Sequence, residues 1–547
     1  MSVVGGNLFR GGTVFDGHRY RGRADVLVRD GRIAELGQDV DGAGAEVVEV
    51  DGLLSPGFVD AHVHPIQGGL ERLRCDLSER ETREDSLAAI RAYADSHPDA
   101  EWILGGGWSM PAFPGGTPLA ADLDAVVPDR PVYLPNRDHH GAWVNNRALE
   151  IAGITAQTPD PPDGRIERDA DGRPSGTLHE GATALVSRHL PRTTGADYRA
   201  ALLAGQSYLH SLGVTGWQDA IVGSYSGMDD PASTYLDAAE SGELRSHVVG
   251  ALWWDRSQGV EQVADLVGRR EALTAGRFRA TTVKIMQDGV AENGTAAMLE
   301  PYLDRCGHAT DNRGHSFVDA ATLKEAVRAL DAAGFQVHVH AIGDRGVRET
   351  LDAMAGTDPE RRHQIAHLQL VHPDDVPRFA ELGVAANMQA LWAIWDEQMV
   401  DLTVPFLGGE RACWQYPFGA IHRSGGRLVA GSDWPVSTPD PLAAIHTAVT
   451  RTSYGDSGRA GTDPFLPEQA VDLETAFAAY TSGSAWACHR DDAGVIQAGA
   501  VADLVVLDRD PFAGPPEEIG ATRWSRPGSQ EVSPTRTLEP EPDMWWA

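Results

Sequence analysis

Between residues 57 and 488, short apolar runs alternate with longer stretches of helical periodicity, and no other feature narrows the fold so much. When a helix carries the chain back between two strands, the strands run parallel, and a parallel sheet has to be covered on its faces by those helices. Residues 281–286, 336–340 and 427–430 read as strands, while 321–333 and 374–382 read as helices. Over 321–333 the spacing sets Leu323, Ala326, Val327 and Leu330 on one face, the face that packs on a sheet. The expectation is an α/β fold, a (β/α)8 barrel.

The two ends of the chain break this rhythm. Residues 12–14, 24–29, 32–36 and 47–50 are strand-like, with Asp30-Gly31 and Asp51-Gly52 as turns, and 494–496 and 502–507 have the same character. A chain of 547 residues with 42% apolar content is long for one compact domain. The ends are therefore predicted to form one composite β-sandwich from 1–56 and 489–530, the barrel to span 57–488, and 531–547 to be a tail. A Pro-, Gly- and Trp-rich stretch over about 80–195 reads as a large, less regular insertion after the first barrel strand, of the kind that forms a pocket wall or lid. Beyond Pro511 the composition suits a segment that wraps the surface or is partly disordered.

Charge and composition exclude several functions. A formal net charge of −33 argues against nucleic acid as a partner. No apolar run approaches the roughly 20 residues needed to span a bilayer, and the N-terminus has no basic segment followed by an apolar one, so no membrane partner and a cytoplasmic location are expected. The four cysteines are scattered without a C-x-x-C pair, which suggests neither disulfides nor a thiolate cluster. No Gly-x-Gly-x-x-Gly opens a βαβ unit for a nicotinamide cofactor. If the chain associates, a homodimer is the commonest arrangement.

The chemistry lies at strand ends. Gly57-Phe58-Val59-Asp60-Ala61-His62-Val63-His64 is an apolar strand closing in His-x-His, and alternation turns His62 and His64 to the same side, where two imidazoles can bind one cation. The run ending in His338-Val339-His340, that ending in His367 and that ending in Asp433 repeat the context. In a barrel the C-terminal strand ends converge on one mouth, so these residues can meet. Any one of them alone could be an ordinary buried histidine. Lysine occurs only at 284 and 324; where Arg serves almost everywhere else, a retained Lys suggests a need for an amine that can lose its proton.

The ordered series resembles the amidohydrolase superfamily, in particular family 3, the group that includes N-substituted formamide deformylases. The resemblance runs from about Gly12 to Pro511 and includes the His62 and His64 strand, Asp138-His139-His140-Gly141-Ala142-Trp143-Val144-Asn145, Val283-Lys284-Ile285-Met286-Gln287-Asp288-Gly289, His338 to Asp344, His367, Gly431-Ser432-Asp433-Trp434-Pro435 and Ala502-Asp503-Leu504-Val505. It implies one or two Zn2+ ions, or another divalent metal, held by His62, His64, His340, His367 and Asp433. Lys284 would be a carboxylated, bridging lysine, or else a strand-end Lys in a salt bridge. Glu180 would be a further ligand, or else an acid at a helix start. Asp433 would shuttle the proton, and a neutral His140 would assist at the carbonyl. The family more often has Gly where His139 stands, so which of His139 and His140 faces the pocket is open.

The implied reaction is metal-dependent hydrolysis of a C–N bond in a small molecule, an N-substituted formamide or another small amide. Cyclic amides, carbamates and esters suit the same chemistry, and a non-catalytic binding protein on this fold is the alternative of another class. Trp108, Trp143, Asp288 and Trp434 are the expected substrate-binding residues; Trp217 and Trp392 are expected near the same mouth, where they suit an apolar substituent.

Overall fold

The computed structural model describes residues 6–225, 228–454 and 463–524. Eight parallel strands form its centre, in the order in which they occur along the chain: β1 (Phe58–Val63), β2 (Val214–Val222), β3 (His247–Trp253), β4 (Phe278–Met286), β5 (Gln336–Ala341), β6 (Gln364–His367), β7 (Ala385–Met388) and β8 (Leu428–Ala430). β1, β5, β6, β7 and β8 are buried along their whole length, as parallel strands covered on both faces must be. β8 meets β1 just beyond its end, where Asp433 N–H donates to the His62 carbonyl at 2.8 Å and His64 N–H to that of Trp434 at 2.9 Å. Gly431 makes this approach possible, since a Cβ there would lie 2.7 Å from the His62 nitrogen. The result is a barrel closed at the end that carries the histidines.

The helix expected over 321–333 spans Ala320–Ala332 and buries Leu323, Ala326, Val327 and Leu330; the Asp319 carboxylate caps it by accepting from Ala321 N–H and Thr322 N–H. Residues 374–382 divide into a 3-10 turn, Pro373–Asp375, and a short helix, Arg378–Leu382. Pro377, as the N-cap of that helix, lies between the two.

The ends do form one sandwich. One sheet runs in the order Arg32–Gly37, Asp25–Arg29, Gly6–Arg10, Glu46–Glu49; the other runs Leu504–Leu507, Leu53–Pro56, Thr13–Phe15, Tyr20–Arg23. Leu504–Leu507, from the far end of the chain, pairs antiparallel with Leu53–Pro56. Val14, Val26, Leu54, Ile496 and Val506 share a buried cluster. Of residues 494–496, Val495 and Ile496 contribute side chains to that cluster without forming a strand. Past Pro511, a 3-10 segment, Pro516–Ala521, buries Ile519, and the Trp524 indole donates to the Ser211 carbonyl. Residues 525–530 of the predicted sandwich and the predicted tail 531–547 lie outside the described residues.

The insertion is more regular than expected. Between Leu73 and Gly195 it carries a six-stranded sheet in the order Gly164–Arg168, Pro174–Glu180, Gly141–Val144, Val132–Pro135, Ile103–Gly106, Cys75–Asp76. Its strands have two to seven residues, too few for periodicity to reveal. Trp108, Phe113 and Trp143 cluster edge to face in its core, at centroid distances of 5.0–6.3 Å. Pairing of Gly141 with His179 and of Gly164 with Glu180 sets His140 and Glu180 side by side at one end of two adjacent inner strands. No helix among the described residues is long and apolar enough to cross a membrane.

Candidate metal centre and active site

At the mouth, His62 Nε2 and His64 Nε2 both face one oxygen of Asp433, at 3.2 and 3.0 Å from Oδ1. His367 Nδ1 stands 3.9 Å from the other oxygen, Oδ2, and Lys284 Nζ lies 3.4 Å from His62 Nε2. The His367 ring is 4.4 Å from that of His340 and 4.9 Å from that of His62, measured between centroids. Four strands and the segment after β8 thus deliver four imidazoles, an amine and a carboxylate to one small volume.

The donor set fits a cation. Two ligands that reach one tetrahedral ion at about 2.0–2.2 Å stand about 3.3 Å apart, close to the spacing of Asp433 Oδ1 from both histidines. His367 Nδ1 is buried with no hydrogen-bond partner among the described residues, an arrangement that costs free energy unless something else satisfies the atom. Burial, reinforced by neighbouring charges, holds His62, His340 and His367 well below the ordinary imidazole range, so each keeps a lone pair for a metal. Burial pushes the Asp433 carboxyl up, but the hydrogen bond from His64 and the charges of His367, His64 and Lys284 outweigh it and carry it down to about 2. Burial draws the Lys284 amine down to about 7, where much of it is neutral near physiological pH.

Both His139 and His140 reach the cavity wall. His139 turns to Glu71, at 3.1 Å, and to the Gln67 amide, at 2.8 Å. His140 Nδ1 lies 3.0 Å from both oxygens of Glu180. Burial alone would lower His140, but Glu180 outweighs it and raises the imidazole to about 9. His140 is therefore a cation at neutral pH, contrary to the neutral imidazole expected. Glu180 is likewise engaged by its neighbours: it accepts from His140 and, at 2.8 Å, from the Thr295 hydroxyl. The structure brings it to His140 and not to the imidazole cluster.

His139, Glu180, His367 and Asp433 all have φ between 49° and 80°. Such backbone costs about 1–3 kcal/mol per residue and tends to gather at functional sites.

The expected substrate residues are redistributed. Trp108 and Trp143 bury their rings in the insertion's core, and their indole N–H groups donate to the carbonyls of Leu134 and Leu119. Trp434 packs on Tyr208, at 5.3 Å between ring centroids, and against Gly68, behind the site. Trp217 is fully buried among the barrel and its helices. Asp288 is fully buried and accepts from the N–H groups of Ala297, Ile342 and Gly343, bracing the loops after β4 and β5. Of the tryptophans named, Trp392 lines the cavity, stacked on His367 at 5.1 Å. Trp253 and Tyr225 line it as well; sequence reasoning missed both, although Trp253 ends β3 and its position there was a usable signal. The cavity is partly open, and about 60 Å³ of it admits the centre of a water-sized sphere.

A sequence profile of the amidohydrolase family matches residues 50–534. Protein LONG AFTER FAR-RED 3 of Arabidopsis thaliana is 29% identical over 544 residues, covering 95% of this chain and 90% of that protein. An N-substituted formamide deformylase of Arthrobacter pascens is 27% identical, covering 92% and 95%. Among solved structures, an uncharacterized metal-dependent hydrolase from Pyrococcus furiosus superposes with a TM-score of 0.69 at 25% identity, covering 93% of this chain and all of that one.

Proposed function

Because the chain belongs to the amidohydrolase family, whose members imply a divalent metal, we propose that it hydrolyses the C–N bond of a small amide, with an N-substituted formamide as the leading substrate class. The observation that carries this reading is the convergence of His62, His64, His340, His367, Lys284 and Asp433 on one cavity. Zn2+ is the ion that best suits imidazole and carboxylate ligands in this spacing. His62, His64 and Asp433 would hold one ion, and His340 and His367 a second if Lys284 is carboxylated. A cation there supplies Lewis acidity, polarising a carbonyl and acidifying water.

The protein's own groups supply the rest. Asp433 Oδ2 takes the proton of the attacking water and returns it to the leaving nitrogen. An amine leaves poorly unless it is protonated, so C–N cleavage requires this return. His140, charged by its pairing with Glu180, donates to the oxygen on which negative charge develops. A relative named as an N-substituted formamide deformylase, 27% identical, favours a formyl group as the acyl part. Trp253, Trp392, Val290 and Ile342 form an apolar wall for the nitrogen substituent.

Zinc-loaded protein assayed against N-alkyl and N-aryl formamides, the matching acetamides, and cyclic amides, carbamates and esters tests this reading. The formamides are expected to be turned over fastest, with release of amine and formate. A fully metallated protein that cleaves none of these amides would overturn the proposal.

Glu180→Gln tests the role of His140. With the carboxylate gone, only the weaker pull of Asp138 and Asp433 opposes burial, so the His140 imidazole falls below its wild-type value and carries less positive charge at pH 8. The wild type should lose kcat as pH rises through about 9. The variant should lose about 10²-fold at pH 8, the effect of removing one oxyanion donor, and recover part of it as pH falls. Superimposable pH profiles for the two proteins would exclude the charged-donor role.

A further inference from the structure

Beneath the histidines, the barrel interior is polar where such barrels usually pack branched apolar side chains. Gln218, Thr282, Gln336, His338, Gln364, Asn387 and Gln389 are all buried there. Their hydrogen bonds form a chain whose direction is fixed at both ends by backbone groups that can act in only one way.

At one end, the Gln336 amide nitrogen donates to the carbonyls of Arg362 and Ala487, both at 2.8 Å. Its oxygen must then face inward, where it accepts from Gln218 Nε2 at 2.9 Å and from the Thr282 hydroxyl at 2.7 Å. At the other end, His367 N–H donates to Gln389 Oε1 at 2.7 Å. Gln389 Nε2 then donates to Asn387 Oδ1, Asn387 Nδ2 to Gln364 Oε1, and Gln364 Nε2 to Gln218 Oε1, at 2.8, 2.8 and 2.6 Å. The two ends impose the same orientation on Gln218, with its nitrogen toward Gln336 and its oxygen toward Gln364. Reversing any one amide would set donor against donor or acceptor against acceptor.

The same Gln218 oxygen lies 2.7 Å from His338 Nδ1, which must therefore carry a proton and donate. No carboxylate hydrogen-bonds to His338 among the described residues, and an imidazolium there would be a buried charge without compensation. His338 Nε2 is accordingly a lone pair. His62 Nδ1 stands 2.9 Å from it, so that contact is closed by a proton on His62 Nδ1, and His62 Nε2 keeps the lone pair that faces Asp433 and Lys284.

We propose that Gln218 and His338 are positioning residues that lock His62 into the Nδ1–H tautomer, so that its Nε2 lone pair is ready for the cation before the cation arrives. This rests on the reading of His62 as a metal ligand. Partners of this kind behind a ligand typically change metal affinity by about 10- to 100-fold when removed.

Nitrogen NMR of metal-free protein carrying ¹⁵N-labelled histidine, with the His62 signals identified by their loss in His62→Asn, reads the tautomer in the wild type and needs no variant of the network to fold. Protonation at Nδ1 is expected, and protonation at Nε2 would overturn the proposal. Chelator competition then reads zinc affinity. Gln218→Leu should bind about 10- to 100-fold more weakly and lose the Nδ1–H signature. Gln218→Glu sets a carboxylate beside His338 Nδ1, compensates an imidazolium there, and lets His338 Nε2 donate to His62, so it should also lose the Nδ1–H signature. Wild-type affinity in Gln218→Leu, or an unchanged Nδ1–H signal of His62 in either variant, would overturn the proposal while leaving His62 a ligand. Full metal content in His62→Ala would overturn the ligand reading and this one together.

Discussion

Replacing Asp433 with asparagine should cut kcat by about 10²- to 10⁴-fold, the range expected when a positioned acid–base group is lost, or about 3–5 kcal/mol of barrier. The substitution keeps the shape of the side chain, so β8 should still close on β1 through the backbone bonds beside it. The charge and the capacity to take up a proton disappear together. Four imidazoles remain to hold the cation, and elemental analysis of the variant loaded in excess zinc should find metal close to the wild-type ratio. That combination, metal present and turnover lost, separates a proton shuttle from a residue that serves only as a ligand. Undiminished turnover in the metallated variant would remove Asp433 from the reaction.

His62→Ala should act on the step before chemistry. The imidazole shares the Asp433 oxygen with His64 and lies 3.4 Å from Lys284 Nζ, so its loss removes one of the three donors grouped around one ion. Metal content after dialysis should fall well below the wild-type ratio, and hydrolysis should become undetectable at ordinary enzyme concentrations. The variant also leaves His338 Nε2 without its donor, a buried unsatisfied acceptor that costs about 1–3 kcal/mol. A lower thermal midpoint with an unchanged far-ultraviolet circular dichroism spectrum would therefore accompany the loss of metal. Unchanged metal stoichiometry would take His62 out of the ligand set.

How far the site was legible in the sequence depended on whether a side chain's direction follows from local geometry. His62 and His64 share a side because a strand alternates, and His340, His367 and Asp433 join them because every barrel strand ends at the same mouth. Tryptophans offer no such rule. Trp108 and Trp143 stand close to mouth-forming segments in sequence, yet they fill the core of a sheet whose short strands gave no periodicity. Trp392 reaches the cavity from a loop after β7, and nothing local distinguishes it from the others. Asp288 follows a barrel strand, but N–H groups of its own loop and of the loop after β5 converge on it and turn it into a brace.

The sequence by itself determined the alternation of strand and helix, the pairing of the two chain ends, and the kinds of donor delivered to the mouth, because each of these follows from periodicity over a few residues or from chemical identity. Only the tertiary structure decided which group serves which. Glu180 came to His140, and not to the imidazole cluster, because the ends of two adjacent strands of the inserted sheet present both residues together. The polarity of the amide chain beneath His62 was equally hidden, since it is set by contacts such as Gln336 with Ala487, 151 positions away. A hydrogen bond has a direction only once both partners are in place, and no pattern along the chain encodes that.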